Sequence, residues 1–75
     1  MNDATITGED MRLCVCCGGF VIAIKGQTKT YLVGNPDDLN LKSGDKFPIA
    51  LKIDWYIDSS HCGNYIKITR FKRLP

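Results

Sequence analysis

Residues 47–56 alternate with a period of two. Phe47, Ile49, Leu51, Ile53 and Trp55 fall on one face, and Pro48, Ala50, Lys52, Asp54 and Tyr56 on the other. Successive strand side chains point to opposite faces, so this pattern specifies a β-strand with one apolar side and one mixed side. Pro48 has no N–H to give to a ladder, which places that end of the strand at an edge or a bulge. No window of the chain carries a sustained 3.6-residue apolar repeat, so no long helix is expected. The chain reads as all-β.

The remaining segments fit that class. Residues 13–25 read as a strand interrupted at Gly18-Gly19, where paired glycines mark a bulge, a sharp bend or the close approach of another backbone. Gly26-Gln27 turns the chain into a second strand over residues 28–33. Asn35-Pro36-Asp37-Asp38-Leu39 is a helix-start signal: an Asn cap, Pro at the first helical position and two aspartates at the positive end of the dipole. One turn fits before Lys42-Ser43-Gly44-Asp45 reverses the chain again. Residues 58–64 form a polar loop, and residues 65–74 the last strand. Residues 1–10 are polar and without periodicity, so the expected organisation is a flexible segment over 1–11 and a single domain over 12–75.

Seventy-five residues make one small domain. Chains near this size bury only about 60% of the surface that the unfolded chain exposes. A small partly open five-stranded antiparallel barrel, OB-like or SH3-like, with one short helical turn is the economical way to cover both sheet edges. Its expected core is Phe20, Ile22, Ile24, Leu32, Leu39, Ile49, Leu51, Ile53, Ile66 and Ile68, with Trp55 over one end. An apolar fraction of 44% indicates a folded domain, and a net charge of +2 is too small to indicate nucleic acid or an anionic membrane by itself. No apolar run approaches the roughly 18–20 residues that span a bilayer.

Three of the four cysteines lie in Cys14-Val15-Cys16-Cys17, and the fourth, Cys62, follows the single histidine, His61. In an extended strand neighbouring residues face opposite ways, and residues two apart approach the upper limit of about 6.8 Å between bridged Cα atoms. A bridge within the cluster is therefore strained, and at most one disulfide is expected, from Cys62 to the cluster. Cys17 is the chosen partner, because it shares parity with Leu13 and Val15 and sits against the glycine bend. Such a bond closes a loop of about 45 residues, worth about 4 kcal/mol in the chain-entropy model. Beside this stands the reading in which the thiols pack as small hydrophobes.

A structural zinc site from Cys14, Cys17, His61 and Cys62 is the metal alternative. Cys14-x-x-Cys17 has the C-x₂-C spacing of a zinc knuckle, whereas His61-Cys62 does not repeat it. A thiol-redox role fits less well, since such motifs sit at a helix N-terminus and Phe20-Val21-Ile22-Ala23-Ile24 reads as strand. His61 and Cys62 are adjacent, so in an extended segment they point apart, and no third group orients them. No catalytic residues are expected.

In the last strand Tyr65, Lys67, Thr69, Phe71 and Arg73 share one parity. Aromatic and basic residues interleaved on a barrel face suit single-stranded nucleic acid, so Tyr65, Lys67, Phe71 and Arg73 form a candidate stacking face. The plainer reading is an ordinary edge strand whose lysines oppose aggregation.

The order of several motifs resembles that of small uncharacterised exported or lipoprotein β-barrel domains of Bacteroidetes-type bacteria. These motifs are Cys17-Gly18-Gly19-Phe20, Tyr31, Asn35-Pro36-Asp37-Asp38-Leu39, Gly44-Asp45-Lys46-Phe47, Cys62, and Ile66-Lys67-Ile68-Thr69-Arg70-Phe71-Lys72-Arg73. The resemblance covers residues 17–74, with Cys14 and Cys16 additional to the pattern. It implies export, a β-barrel, a Cys17–Cys62 pairing and no catalytic activity. The leading expectation is a non-enzymatic envelope or secreted interaction module, with a protein or envelope ligand and no cofactor. The alternatives are a cytosolic single-stranded nucleic-acid-binding OB-like domain and a small zinc-binding domain. Residues 1–12 show neither the basic start nor the apolar stretch of a signal peptide. The expected location is thus periplasmic, outer-membrane-anchored or secreted where a signal has been removed, and cytoplasmic otherwise.

Overall fold

The computed structural model describes residues 1–11, 16–42, 44–60 and 62–74. Its strands are β1 (Asn2–Glu9), β2 (Phe20–Ile24), β3 (Thr30–Val33), β4 (Ile49–Ile57) and β5 (Ile66–Arg73), with a 3-10 turn at Pro36–Leu39. They form one curled sheet in the order β3-β2-β1-β4-β5, every neighbouring pair antiparallel. The two outer strands meet at one point, a parallel bridge between Leu32 and Tyr65, where the Leu32 N–H donates to the Asn64 carbonyl at 2.9 Å. The product is a half-barrel. Two antiparallel hairpins flanking β1, with β3 and β5 meeting in parallel and the helical turn between β3 and β4, make it OB-like.

The expected flexible segment over 1–11 is corrected: residues 2–9 are the central strand, and the barrel begins there rather than at residue 12. Ala4 lies between Ile24 of β2 and Leu51 of β4, and Ile6 between Ile22 and Ile49. Ala4 and Ile6 are buried, while Asp3, Thr5 and Thr7 stand on the other face or in the bulge. Two apolar residues, one of them alanine, give almost no local periodicity. Pairing on both flanks, a long-range effect, makes the segment a strand.

The core follows the patterning of the other strands. Ile22, Leu51, Ile53, Leu39 and Val33 are at most 1% exposed, and Ile24, Leu32 and Ile66 are buried as well. Of the expected core, Phe20, Ile49 and Ile68 are only partly buried against it. Tyr31, Val33, Tyr65, Ala4 and Ile6 join the buried set. Trp55 packs half-buried against the core, with its ring 5.4 Å from that of Tyr31 and its Nε1–H donating to Asn2 Oδ1.

Local chemistry sets the turns. The Asn35 side chain accepts the Asp37 N–H at 2.9 Å, capping the 3-10 turn that drops Leu39 into the core. β4 starts one residue after Pro48, so the missing N–H costs no ladder bond. The interrupted first strand is likewise revised: residues 16–19 are turn and bend, and β2 begins at Phe20.

Two bulges bend the sheet. The register skips Thr7 in β1 and Thr69 in β5. Each extra threonine donates its hydroxyl to the partner strand, Thr7 to the Val21 carbonyl and Thr69 to that of Asp54. Opposite charges add cross-strand pairs, Arg70 with Asp54 at 2.7 Å and Lys52 with Asp3 at 3.5 Å, and Arg73 of β5 pairs with Asp45 of the loop before β4 at 3.0 Å.

Two measurements check this account. Ile6→Ala should cost about 2–5 kcal/mol, the range for deleting a buried branched side chain, read as a lower urea midpoint; an unchanged midpoint would return residues 2–9 to a loose tail. The acid side of the stability curve gives the second. Arg73, then the Lys42 backbone N–H, holds the Asp45 carboxyl below its ordinary 3.8, and Arg70 does the same for Asp54. A lowered folded-state value stabilises above the unfolded value and is lost as pH falls through the folded one. Melting temperature should therefore fall as pH drops below about 4, and an Asp45→Asn/Asp54→Asn variant should show a shallower fall; an identical acid limb would remove these pairs from the account.

Candidate functional site

The described structure concentrates its unusual chemistry at one rim, where residues 10–11 and 16–19, between β1 and β2, meet residues 58–60 and 62–65, between β4 and β5. Each loop is closed at its base by the backbone. Asp10 N–H donates to the Gly19 carbonyl at 2.8 Å, and Asp58 N–H to the Tyr65 carbonyl at 2.9 Å. Carboxylates shape the turns: Asp10 accepts the Gly18 N–H, and Asp58 accepts the Ser60 N–H and hydroxyl. Gly19 has φ +83°, and a Cβ there would run into the Val33 carbonyl and the Gly34 Cα. Only glycine allows the loop to enter β2 so close to β3.

Two contacts fasten the loops together. Cys16 and Cys62 form a disulfide with their Cα atoms 5.7 Å apart. Tyr65, 8% exposed, donates its hydroxyl to the Cys17 carbonyl at 2.7 Å, with the Gly18 carbonyl at 3.2 Å. Its ring stands where a side chain at position 34 would begin, 3.4 Å from a Cβ built on Gly34. Cys17 is itself disulfide-bonded, and no described cysteine is a free thiol.

These observations correct the cysteine expectations. The bridge to Cys62 comes from Cys16, not Cys17, and the chain carries more than one disulfide. The argument from opposite strand faces required an extended backbone through the cluster. Residues 16–19 instead turn, with Gly18 at φ +100° and Gly19 at φ +83°, so alternation does not govern where those sulfurs point. The zinc set Cys14, Cys17, His61 and Cys62 loses two thiolates to disulfides, and a sulfur in a disulfide is not a thiolate ligand. Cys14 and His61 lie outside the described residues. Among the described residues no three His, Cys, Asp or Glu side chains converge as metal ligands would.

The basic and aromatic face is not brought together either. The Thr69 bulge reverses the parity of β5, so Lys67 and Phe71 fall on opposite sides of the sheet. Tyr65 is buried at the rim, and Phe71 packs half-buried against the core. Arg73 is turned to Asp45 and the Asn40 carbonyl, and Lys67 lies 3.9 Å from Asp38.

Next to the fastened loops lies an open depression of about 420 Å³ formed by Gly34, Asn35, Asp38, Asp58, Tyr65 and Lys67. Its lining is mixed, with two carboxylates and one ammonium beside Tyr65 and Ile66. Sequence reasoning had no means of finding the latch: a tyrosine just after Gly63-Asn64 reads as an ordinary strand residue.

Tyr65→Phe keeps the ring and removes the hydroxyl. It should cost about 0.5–1.5 kcal/mol, the usual net worth of one intramolecular hydrogen bond, with the Cys16–Cys62 linkage intact on peptide mapping; unchanged stability would show that the latch carries no weight. No protein-family model, curated protein or solved structure matches this chain, so the site is read from its own geometry.

Proposed function

We propose that this chain is a non-enzymatic binding module acting outside the cytoplasm, in the envelope or as a secreted protein, and that it carries its ligand at the fastened rim. The observation that supports this most is the covalent closure of the rim by Cys16–Cys62, with Cys17 in a further disulfide. Disulfides persist in oxidising compartments and are rare where cellular reductants keep thiols reduced. A domain of 75 residues also gains most from such a staple, since a core this small rarely supplies more than about 3–5 kcal/mol. The resemblance to exported and lipoprotein-type domains points the same way. Among the described residues no helix is long and apolar enough to cross a bilayer.

The position of the ligand is argued from fold analogy. OB-fold barrels bind through the face of strands 2 and 3 and the loops β1–β2 and β4–β5. Here those are the two loops that are tied. The described cysteines at the rim are held as disulfides, which removes the thiolate that a cysteine nucleophile requires. The single-stranded nucleic-acid reading keeps the OB-like strand order as its support, but has no stacking platform on β5.

The test is the thiol state in the cells that make the protein. Acid quenching, alkylation without reductant and intact mass should find no alkylated cysteine. Four alkylated cysteines would place the chain in a reducing compartment and overturn the proposal.

A further inference from the structure

On the outer face of the sheet, pairing aligns side chains in rows that cross the strands. One row runs through Ala23 of β2, Thr5 of β1 and Ala50 of β4. Leu74 extends it, its N–H donating to the Ala50 carbonyl at 3.0 Å. The neighbouring outward row runs through Asp3, Lys52 and Lys72. Lys25 heads it, because its N–H donates to the Asp3 carbonyl at 2.9 Å. The small side chains of the first row leave a trough of about 450 Å³, walled by Asp3, Lys25 and Leu74. Its lining shares no residue with the tied rim.

The second row is unbalanced in charge. Lys52 lies 3.5 Å from Asp3, yet Lys72 stands directly opposite Lys52 on the next strand. Like charges in that position destabilise a sheet. Among the described residues neither Lys25 nor Lys72 has an ion-pair partner, whereas the other basic residues of β5 are matched: Lys67 by Asp38, Arg70 by Asp54 and Arg73 by Asp45. All three lysines of the row are exposed. Three ammoniums and one carboxylate thus flank a trough with an apolar floor.

We propose that this trough docks an extended acidic segment of a partner protein, laid across the strands with carboxylates at Lys25 and Lys72. Strand spacing sets the pattern of that segment. Lys25 extends β2 and Lys72 lies in β5, three strand spacings apart, or about 14 Å. Two carboxylates four residues apart in an extended chain span about 13 Å and point to the same side. The residues between them that face the other way meet the room left by Ala23, Thr5 and Ala50, so they are apolar. A sulfated polysaccharide would supply the charge without the apolar groups, and a bilayer is too flat to enter a trough. The surface is separate from the rim, and its test does not depend on the thiol state that tests the binding-module reading.

The probe is the peptide acetyl-Glu-Val-Thr-Val-Glu-amide, titrated into the isotope-labelled full chain with its disulfides intact while amide chemical shifts are followed. Shifts are expected at Thr5, Ala23, Lys25, Ala50, Lys52 and Lys72, with affinity falling at least about threefold between low salt and about 0.5 M salt. Lys72→Glu places a carboxylate opposite Lys52. It should weaken binding at least about tenfold while the melting temperature of the free chain holds or rises. Where that variant does not fold, Lys25→Glu in the exposed turn decides by the same loss. No shift at about 5 mM peptide, enough to fill most of a millimolar site, would overturn the proposal. So would shifts confined to the rim, equal binding of the peptide with both Glu replaced by Lys, undiminished binding by Lys72→Glu, or a lower melting temperature in that variant. Binding of heparin or of phosphatidylglycerol vesicles at these residues, with none of the peptide, would assign the row to another class of partner and overturn it as well.

Discussion

The half-barrel depends on β1 being paired along both edges. Without it the molecule falls into two hairpins, β2–β3 and β4–β5, joined by the 3-10 turn and its flanking loops. An isolated two-stranded hairpin is marginally stable in water at best. β1 places Ala4 and Ile6 in the rows between Ile24 and Leu51 and between Ile22 and Ile49, and so turns two small apolar faces into one core. It does this from a position far in sequence from β4. Contacts of that kind close large loops before they return any stabilisation.

The rim contacts follow from this arrangement. Once β1 holds the hairpins together, the ends of β3 and β5 are bridged at Leu32 and Tyr65, and the described loop residues at that end lie within reach of each other. The Cys16–Cys62 bond, spanning 46 positions, removes conformations from the unfolded chain, worth about 4 kcal/mol in the chain-entropy account. Tyr65 completes the closure with a buried ring and a hydroxyl aimed at backbone carbonyls. The covalent bond acts mainly on the unfolded state, and the tyrosine on the folded one.

The sequence was legible where structure is local. The alternation across Leu51, Ile53 and Trp55, the Asn35 cap ahead of Pro36, and the buried Ile22, Ile24 and Leu39 each follow from a few neighbouring residues. What escaped was set by distant partners. Residues 2–9 become a strand through β2 and β4, and their own composition scarcely hints at it. Thr69 looks like any β-branched strand residue, yet as a bulge it reverses the parity of everything after it, so a face drawn through Tyr65, Lys67, Phe71 and Arg73 does not exist. The choice of Cys16 over Cys17 turned on a backbone that leaves the extended region at Gly18 and Gly19. The glycines themselves signalled a bend. The error was to extend strand geometry across it.

The double fastening also bears on how a rim of this kind binds. Loops that become ordered only on binding lose conformational freedom at that moment, and affinity falls accordingly. Here the ordering is imposed in advance, covalently at Cys16–Cys62 and by the Tyr65 hydroxyl at Cys17, so a ligand that fits the closed rim meets a preorganised surface.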